Sequence, residues 1–292
     1  MNGSRLNEKM IAASLEAMEE SGAEALMLFV DAVGDWSAWR VIPDLKRLIM
    51  VTRDPDTEKE LASMGFKAVI KLPDVNLTRL GQVKLAVIKG LDHGVIGNSG
   101  RVVCLTGLKG SGIVDTMMVL DLETEEEVFT ARGISKELLD RLSTHVLESV
   151  LNLALELAGE GREGKSVGAT FVIGNHEKVD KFSRPLIMNP FKGYPEEARN
   201  ILDEAMHETI KEFALLDGAF IIREDGVVMA AGVHLDAALE REGHMPGLGC
   251  RHMAAAGITD VTDAVAITIS GSTGTVRIFR KGAVIFELER PV

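Results

Sequence analysis

Short apolar runs separated by amphipathic stretches fill residues 1–132, and this alternation restricts them to a sheet built by crossover connections. Ile11, Leu15 and Met18 fall at helical spacing within 9–20, and the apolar run 25–30 follows. Strands are expected at 47–52, 67–71, 101–106 and 115–120, with helices at 56–64 and 80–90. The punctuation changes in the second half. The longest helical pattern, 137–158, ends in the glycine-rich turn 159–164. Strands are expected at 169–173, 219–223, 227–233, 264–270, 275–280 and 283–288, a helix over 196–213 and a shorter one around 253–256. The tight turns Asp225-Gly226, Ser272-Thr-Gly274 and Lys281-Gly282 join several of these strands as antiparallel hairpins. The fold class is therefore α/β in two parts. A small α/β domain spans 1–132, and a second, with a mixed sheet flanked by helices, spans 133–292. The acidic stretch 123–127 and Ala131-Arg-Gly133 mark the passage between them.

A length of 292 residues lets each part bury its own core. The net charge of −12 is shared, −5 over 1–132 and −7 over 133–292, so neither half carries the clustered cations that a nucleic-acid surface needs. Aromatics at 4% leave little for base stacking. Cys104 and Cys250 lie far apart, so no disulfide framework or cysteine zinc site is expected, and a reducing, cytoplasmic setting fits. No signal-peptide core opens the chain, and the run 25–30 stops far short of a membrane span.

Four segments carry candidate chemistry. Gly107-Leu-Lys-Gly110-Ser-Gly112 resembles a phosphate loop without the Lys-Ser/Thr pair that would close one. Gly174-Asn-His-Glu177 matches one block of metallophosphoesterases, but no Asp-x-His block precedes it, and a lone His after a strand also suits a turn or a helix start. Asp217-Gly218 stands just before a buried strand, as a turn or as an acid at a sheet edge where glycine admits a ligand. Gly247-Leu-Gly249-Cys-Arg251-His252 opens an Ala-rich helix, whose free N–H groups and dipole favour an anion beside a forked guanidinium. The residues alone leave phosphate binding and structural turns both open.

A longer match is present. Gly168-Ala-Thr-Phe-Val-Ile-Gly174, Ser183-Arg-Pro-Leu186, Asn189-Pro-Phe-Lys-Gly193, Asp217-Gly-Ala219, Val233-His-Leu235 and Gly249-Cys-Arg-His252 occur in the order found in the diadenylate cyclase (DAC) domain, which the chain resembles from about residue 137 onward. The resemblance implies an enzyme that condenses two ATP into cyclic di-AMP, a second messenger, releasing two pyrophosphates. It implies Asp217 as the catalytic residue and as the ligand of Mn²⁺ or Mg²⁺. It places Gly218, Ala219 and Leu235 against the ribose and adenine. Gly249, Cys250, Arg251, His252 and Met253, with Ser270, Gly271 and Ser272, would surround the triphosphate, Arg251 and His252 neutralising it. It also implies a homo-oligomer whose catalytic domains meet face to face. Three departures stand out. The family's Arg-His-Arg appears as Arg251-His252-Met253, its flanking Thr residues as Cys250 and Ala254, and its Ser-Glu-Glu block as Ser270-Gly271-Ser272. A nucleotide-binding sensor on the same fold is the alternative. The chain looks most like the soluble archaeal branch of the family. The first domain more weakly resembles the C-terminal domain of pyruvate kinase, through Leu48-Ile-Met-Val-Thr52 and Val103-Cys-Leu-Thr106 with the glycines that follow, which implies a regulatory or assembly role.

Overall fold

The computed structural model describes residues 3–33, 45–75, 77–97, 99–124, 144–237 and 249–290. The chain divides into two compact units, Met1–Glu125 and Glu126–Val292. The expected passage at 132–133 lies outside the described residues.

The first unit contains α1 (Gly3–Ser21), β1 (Ala25–Phe29), β2 (Leu48–Thr52), α2 (Pro55–Ala62), β3 (Ala68–Lys71), α3 (Arg79–Asp92), β4 (Arg101–Thr106) and β5 (Thr116–Asp121). Its sheet runs β3-β2-β1-β4-β5, parallel except for β5, which pairs antiparallel with β4. Every residue of β1 and β2 is buried, as their uninterrupted apolar runs require of parallel strands covered on both faces. The Gly107–Gly112 loop folds over the end of β1. Gly110 and Gly112 donate to the carbonyls of Asp31 and Ala32, both at 2.8 Å.

The second unit contains α4 (Thr144–Glu160), β6 (Thr170–Ile173), α5 (His176–Asp180), β7 (Ser183–Pro185), α6 (Glu204–Phe213), β8 (Ala219–Ile222), β9 (Val228–Leu235), α7 (Cys250–Val261), β10 (Val265–Ile269), β11 (Val276–Arg280) and β12 (Ala283–Leu288). The sheet order is β12-β11-β10-β6-β8-β9-β7. Only β6 and β8 pair in parallel, so the sheet is mixed, as the glycine turns imply. Val172, Ala219, Ile221, Ala266 and Phe279 form a core with Ala255, Ala256 and Ile258 of α7. That packing fixes α7 above the middle of the sheet and decides where its N-terminus emerges.

Some elements differ from expectation. The helix read over 196–213 is a 3₁₀ turn, Glu196–Arg199, followed by α6. The break has a tertiary cause: Asn200 bridges Val227, and the Ile201 N–H donates to the Gly226 carbonyl at 2.8 Å. Asp203 then caps α6 by accepting from the Ala205 N–H at 3.0 Å. The short helix expected near 253–256 extends over all of α7, while α5 and β7 add two short elements. Of the pattern at 137–158, the described part is α4.

Candidate functional site

Helix α7 begins without a side-chain cap. Gly249 occupies the N-cap in an extended conformation, and its carbonyl accepts from the N–H groups of His252 and Met253 at 3.0 and 3.2 Å. The N–H groups of the first turn, with the positive end of the helix dipole, favour a negative ligand. This terminus faces the turn between β10 and β11. Ser270 and Gly274 close that turn at 2.8 Å, and the hydroxyls of Ser270 and Ser272 lie 3.3 Å apart. Between them is a cavity of about 410 Å³, walled by residues 249–252, 269–273 and Arg277. Its size falls within the range of small-molecule sites.

Arg251 links this cavity to Asp217. Its Nη2 lies 3.3 Å from Asp217 Oδ1, and the Asp217 side chain, in the turn before β8, is 84% exposed. The guanidinium crosses the start of β6, where a Cβ on Gly168 would come within 3.0 Å of Arg251 Nη1 and of the Gly271 nitrogen. Gly168 is thus needed for close approach, a role its place in the string did not reveal.

His252 behaves differently from Arg251. It is buried, and its Nε2 accepts a hydrogen bond from Arg277 Nη1 at 3.0 Å. Its Nδ1 is buried and has no partner. Burial holds its pKa below the usual histidine value, and Arg277 and Arg251 push in the same direction against Glu287. Because the arginine must donate, Nε2 is the acceptor and the imidazole is neutral, with its proton on Nδ1. In this geometry His252 stands on the cavity wall as an uncharged acceptor held by Arg277, so it brings no positive charge of its own to the site. Arg277, which sequence reasoning missed, brings the second guanidinium to the cavity wall. The signal was a basic residue opposite Glu287 across the Lys281-Gly282 hairpin, obscured by a register shift at Ile278/Phe279.

The sequence-predicted residues are only partly gathered. Gly249, Cys250, Arg251, His252, Ser270, Gly271 and Ser272 wall one cavity, and Asp217 borders it through Arg251. Met253 is half-buried and does not line it. Ala219 and Leu235 are buried in the core beneath α7. Gly218 has φ of 103°, and a Cβ there would lie 2.7 Å from the backbone of Gly232 and Val233. Close packing of β8 on β9, rather than open space for a ligand, requires this glycine. In the metallophosphoesterase-like block, Asn175 caps α5 by accepting from the Lys178 N–H, and His176 begins that helix.

The family model described as "DisA bacterial checkpoint controller nucleotide-binding" matches residues 156–284. One described as "Probable sensor domain DacZ_P" matches residues 6–130. The chain is 34% identical over 249 residues to a diadenylate cyclase of Methanocaldococcus jannaschii, covering 83% of this chain and 78% of the relative. It is 32% identical over 209 residues to a diadenylate cyclase of Haloferax volcanii, covering 71% and 75%. The solved structure of DacA from Staphylococcus aureus aligns over 53% of this chain and 91% of its own, at 22% identity and a TM-score of 0.33. Identity at the level of the archaeal relatives, sustained across both units, makes this chain a member of the diadenylate cyclase family.

Proposed function

We propose that this chain condenses two ATP molecules into cyclic di-AMP with release of two pyrophosphates. The observation that carries this reading is the convergence of the uncapped α7 terminus, Arg251 and the Ser270–Ser272 turn on one cavity bordered by Asp217. In each half-reaction a ribose 3′-oxygen loses its proton and forms a bond to the α-phosphorus of the other ATP. The bond from that phosphorus to the β-phosphate oxygen breaks, and pyrophosphate leaves. Positioning and charge stabilisation dominate such transfers. The α7 N–H groups and Arg251 hold phosphate oxygens and counter the charge growing on the leaving group. Asp217, beside Arg251, fixes the end of the site where the 3′-hydroxyl reacts.

A divalent cation fits this donor set. Asp217 offers an exposed carboxylate, and Mg²⁺-type ions are commonly held by one or two carboxylates with substrate phosphates completing the shell. Bound there, Mn²⁺ or Mg²⁺ would supply Lewis acidity. Two such sites must face each other to close a two-fold ring, so the active form is a homo-oligomer with apposed catalytic units. The first unit is read as a regulatory or assembly module of pyruvate-kinase C-terminal type; the sensor-domain match supports the regulatory half of that reading. No helix among the described residues is long and apolar enough to cross a membrane.

Incubation with ATP and Mn²⁺ or Mg²⁺, followed by chromatography, tests the proposal. Cyclic di-AMP and pyrophosphate are the expected products, and the absence of both under either metal overturns it. Gly271 and Ser272, where the family has carboxylates, favour one second reading, a nucleotide-binding sensor. ATP binding without product would select it.

A further inference from the structure

The cavity's charge does not come from where the family pattern puts it. Met253 holds the place of the pattern's second arginine, lies off the cavity and carries no charge. Arg251 is turned toward Asp217, and His252 is neutral. Taken alone, these residues would leave a tetra-anionic triphosphate with one side-chain cation, already drawn to a carboxylate.

We propose that Arg277 is the second phosphate-binding guanidinium of this site, taking the β,γ-phosphate end of ATP while Arg251 serves the reacting end. The inference rests on the cyclase reading for its ligand. Arg277 enters from β11, across the sheet from the segment that carries the recognised motif, and is held on two sides. Glu287 on β12 accepts from its Nε at 2.5 Å, and His252 accepts from its Nη1 at 3.0 Å. Its Nη2 donates no hydrogen bond among the described residues, although the side chain is only 16% exposed and forms part of the cavity wall. A guanidinium has five donors in a rigid fork, so anchoring one edge presents the other in a fixed direction. The Glu287–Arg277–His252 chain is such an anchor, and it accounts for a neutral histidine in place of a third cation. The row continues inward from Arg277 through Thr268 to Thr170, whose hydroxyls are both buried without partners. The cross-strand row that starts at Arg277 thus carries two buried hydroxyls without partners, where most buried polar groups are hydrogen-bonded.

The test compares binding of 3′-deoxy-ATP, which lacks the nucleophile, with binding of AMP, by calorimetry on the full chain with Mg²⁺. In Arg277→Met, affinity for 3′-deoxy-ATP is expected to fall about tenfold or more while affinity for AMP stays within about twofold. In turnover, KM for ATP should rise more than kcat falls. Arg277→Lys, which keeps the charge but not the fork, should recover part of the loss. Glu287→Gln, which releases the Nε anchor, should reduce the triphosphate preference by a smaller factor and serves if Arg277→Met does not fold. An unchanged preference for triphosphate over monophosphate in a folded Arg277→Met, or in both other variants, overturns the proposal. Because the preference is read without turnover, a wild-type chain that shows it but makes no cyclic di-AMP refutes the cyclase reading and leaves Arg277 in place.

Discussion

Arg251 and Asp217 meet at 3.3 Å with the carboxylate largely in solvent, a contact worth little to stability. Such a pair is easily reorganised by a ligand, which suits a reacting end. Asp217→Asn is therefore expected to leave the thermal midpoint nearly unchanged while cutting cyclic di-AMP formation more than a hundredfold, equivalent to ~3 kcal/mol of transition-state stabilisation. Product formation within tenfold of wild type would remove Asp217 from its assigned role. His252 yields a prediction about stability instead. Its folded pKa is held below the ordinary value by burial, so below about pH 6.5 the unfolded chain binds more protons than the folded one. Stability should thus be intact above that value and decline as the pH falls through it toward the lower folded pKa. His252→Gln should flatten this part of the curve. Denaturation midpoints that decline equally in both proteins would show that His252 does not titrate as described.

Strand packing explains a motif that reads, on paper, as a ligand contact. The Asp-Gly-Ala triplet puts Gly218 at positive φ with the β9 backbone 2.7 Å from its missing Cβ. Gly218→Ala should destabilise the second unit by at least ~2 kcal/mol, from backbone strain and overlap together. It should act through folding, so its melting temperature should fall before any specific loss of ATP affinity is seen. A normal midpoint with weak binding would restore a ligand role to this position. Helix α7 shows the complementary case. Its first turn is left uncapped at Gly249, a local sacrifice of stability at the place where an anion is expected.

For the molecule as a whole, cyclic di-AMP has two-fold symmetry, and the proposed reaction assigns one ATP to each cavity. If apposed catalytic units associate weakly, specific activity should rise with enzyme concentration and then level off, in step with the assembly state measured by sedimentation. Full activity from a species that sediments as a monomer during turnover would refute the face-to-face arrangement. The division at Glu125 adds a further expectation: the piece 126–292, which holds every residue of the cavity, should fold alone and retain some cyclase activity.

The alternation of short apolar runs with amphipathic stretches was enough to mark a sheet joined by crossover connections in the first unit, and the glycine turns were enough to make the second sheet mixed. Those features depend on neighbouring residues and on which faces avoid water. The run Gly249 to His252 likewise announced an anion-favouring helix start, because helix dipoles and free N–H groups are local properties. The functions of Gly168, Gly218, Arg277 and His252 were not legible in the same way. Each depends on an atom from a distant strand: Arg251 and Gly271 for Gly168, the β9 backbone for Gly218, Glu287 and His252 for Arg277. The split of 196–213 arose similarly, from a bridge to Val227 that no helical spacing encodes. Sequence determined most of the long elements and the start of α7 because short-range periodicity and backbone chemistry govern them. Tertiary structure decided which cations face the cavity, because charge and hydrogen-bond donors are assigned by through-space proximity, and only the folded sheet sets that.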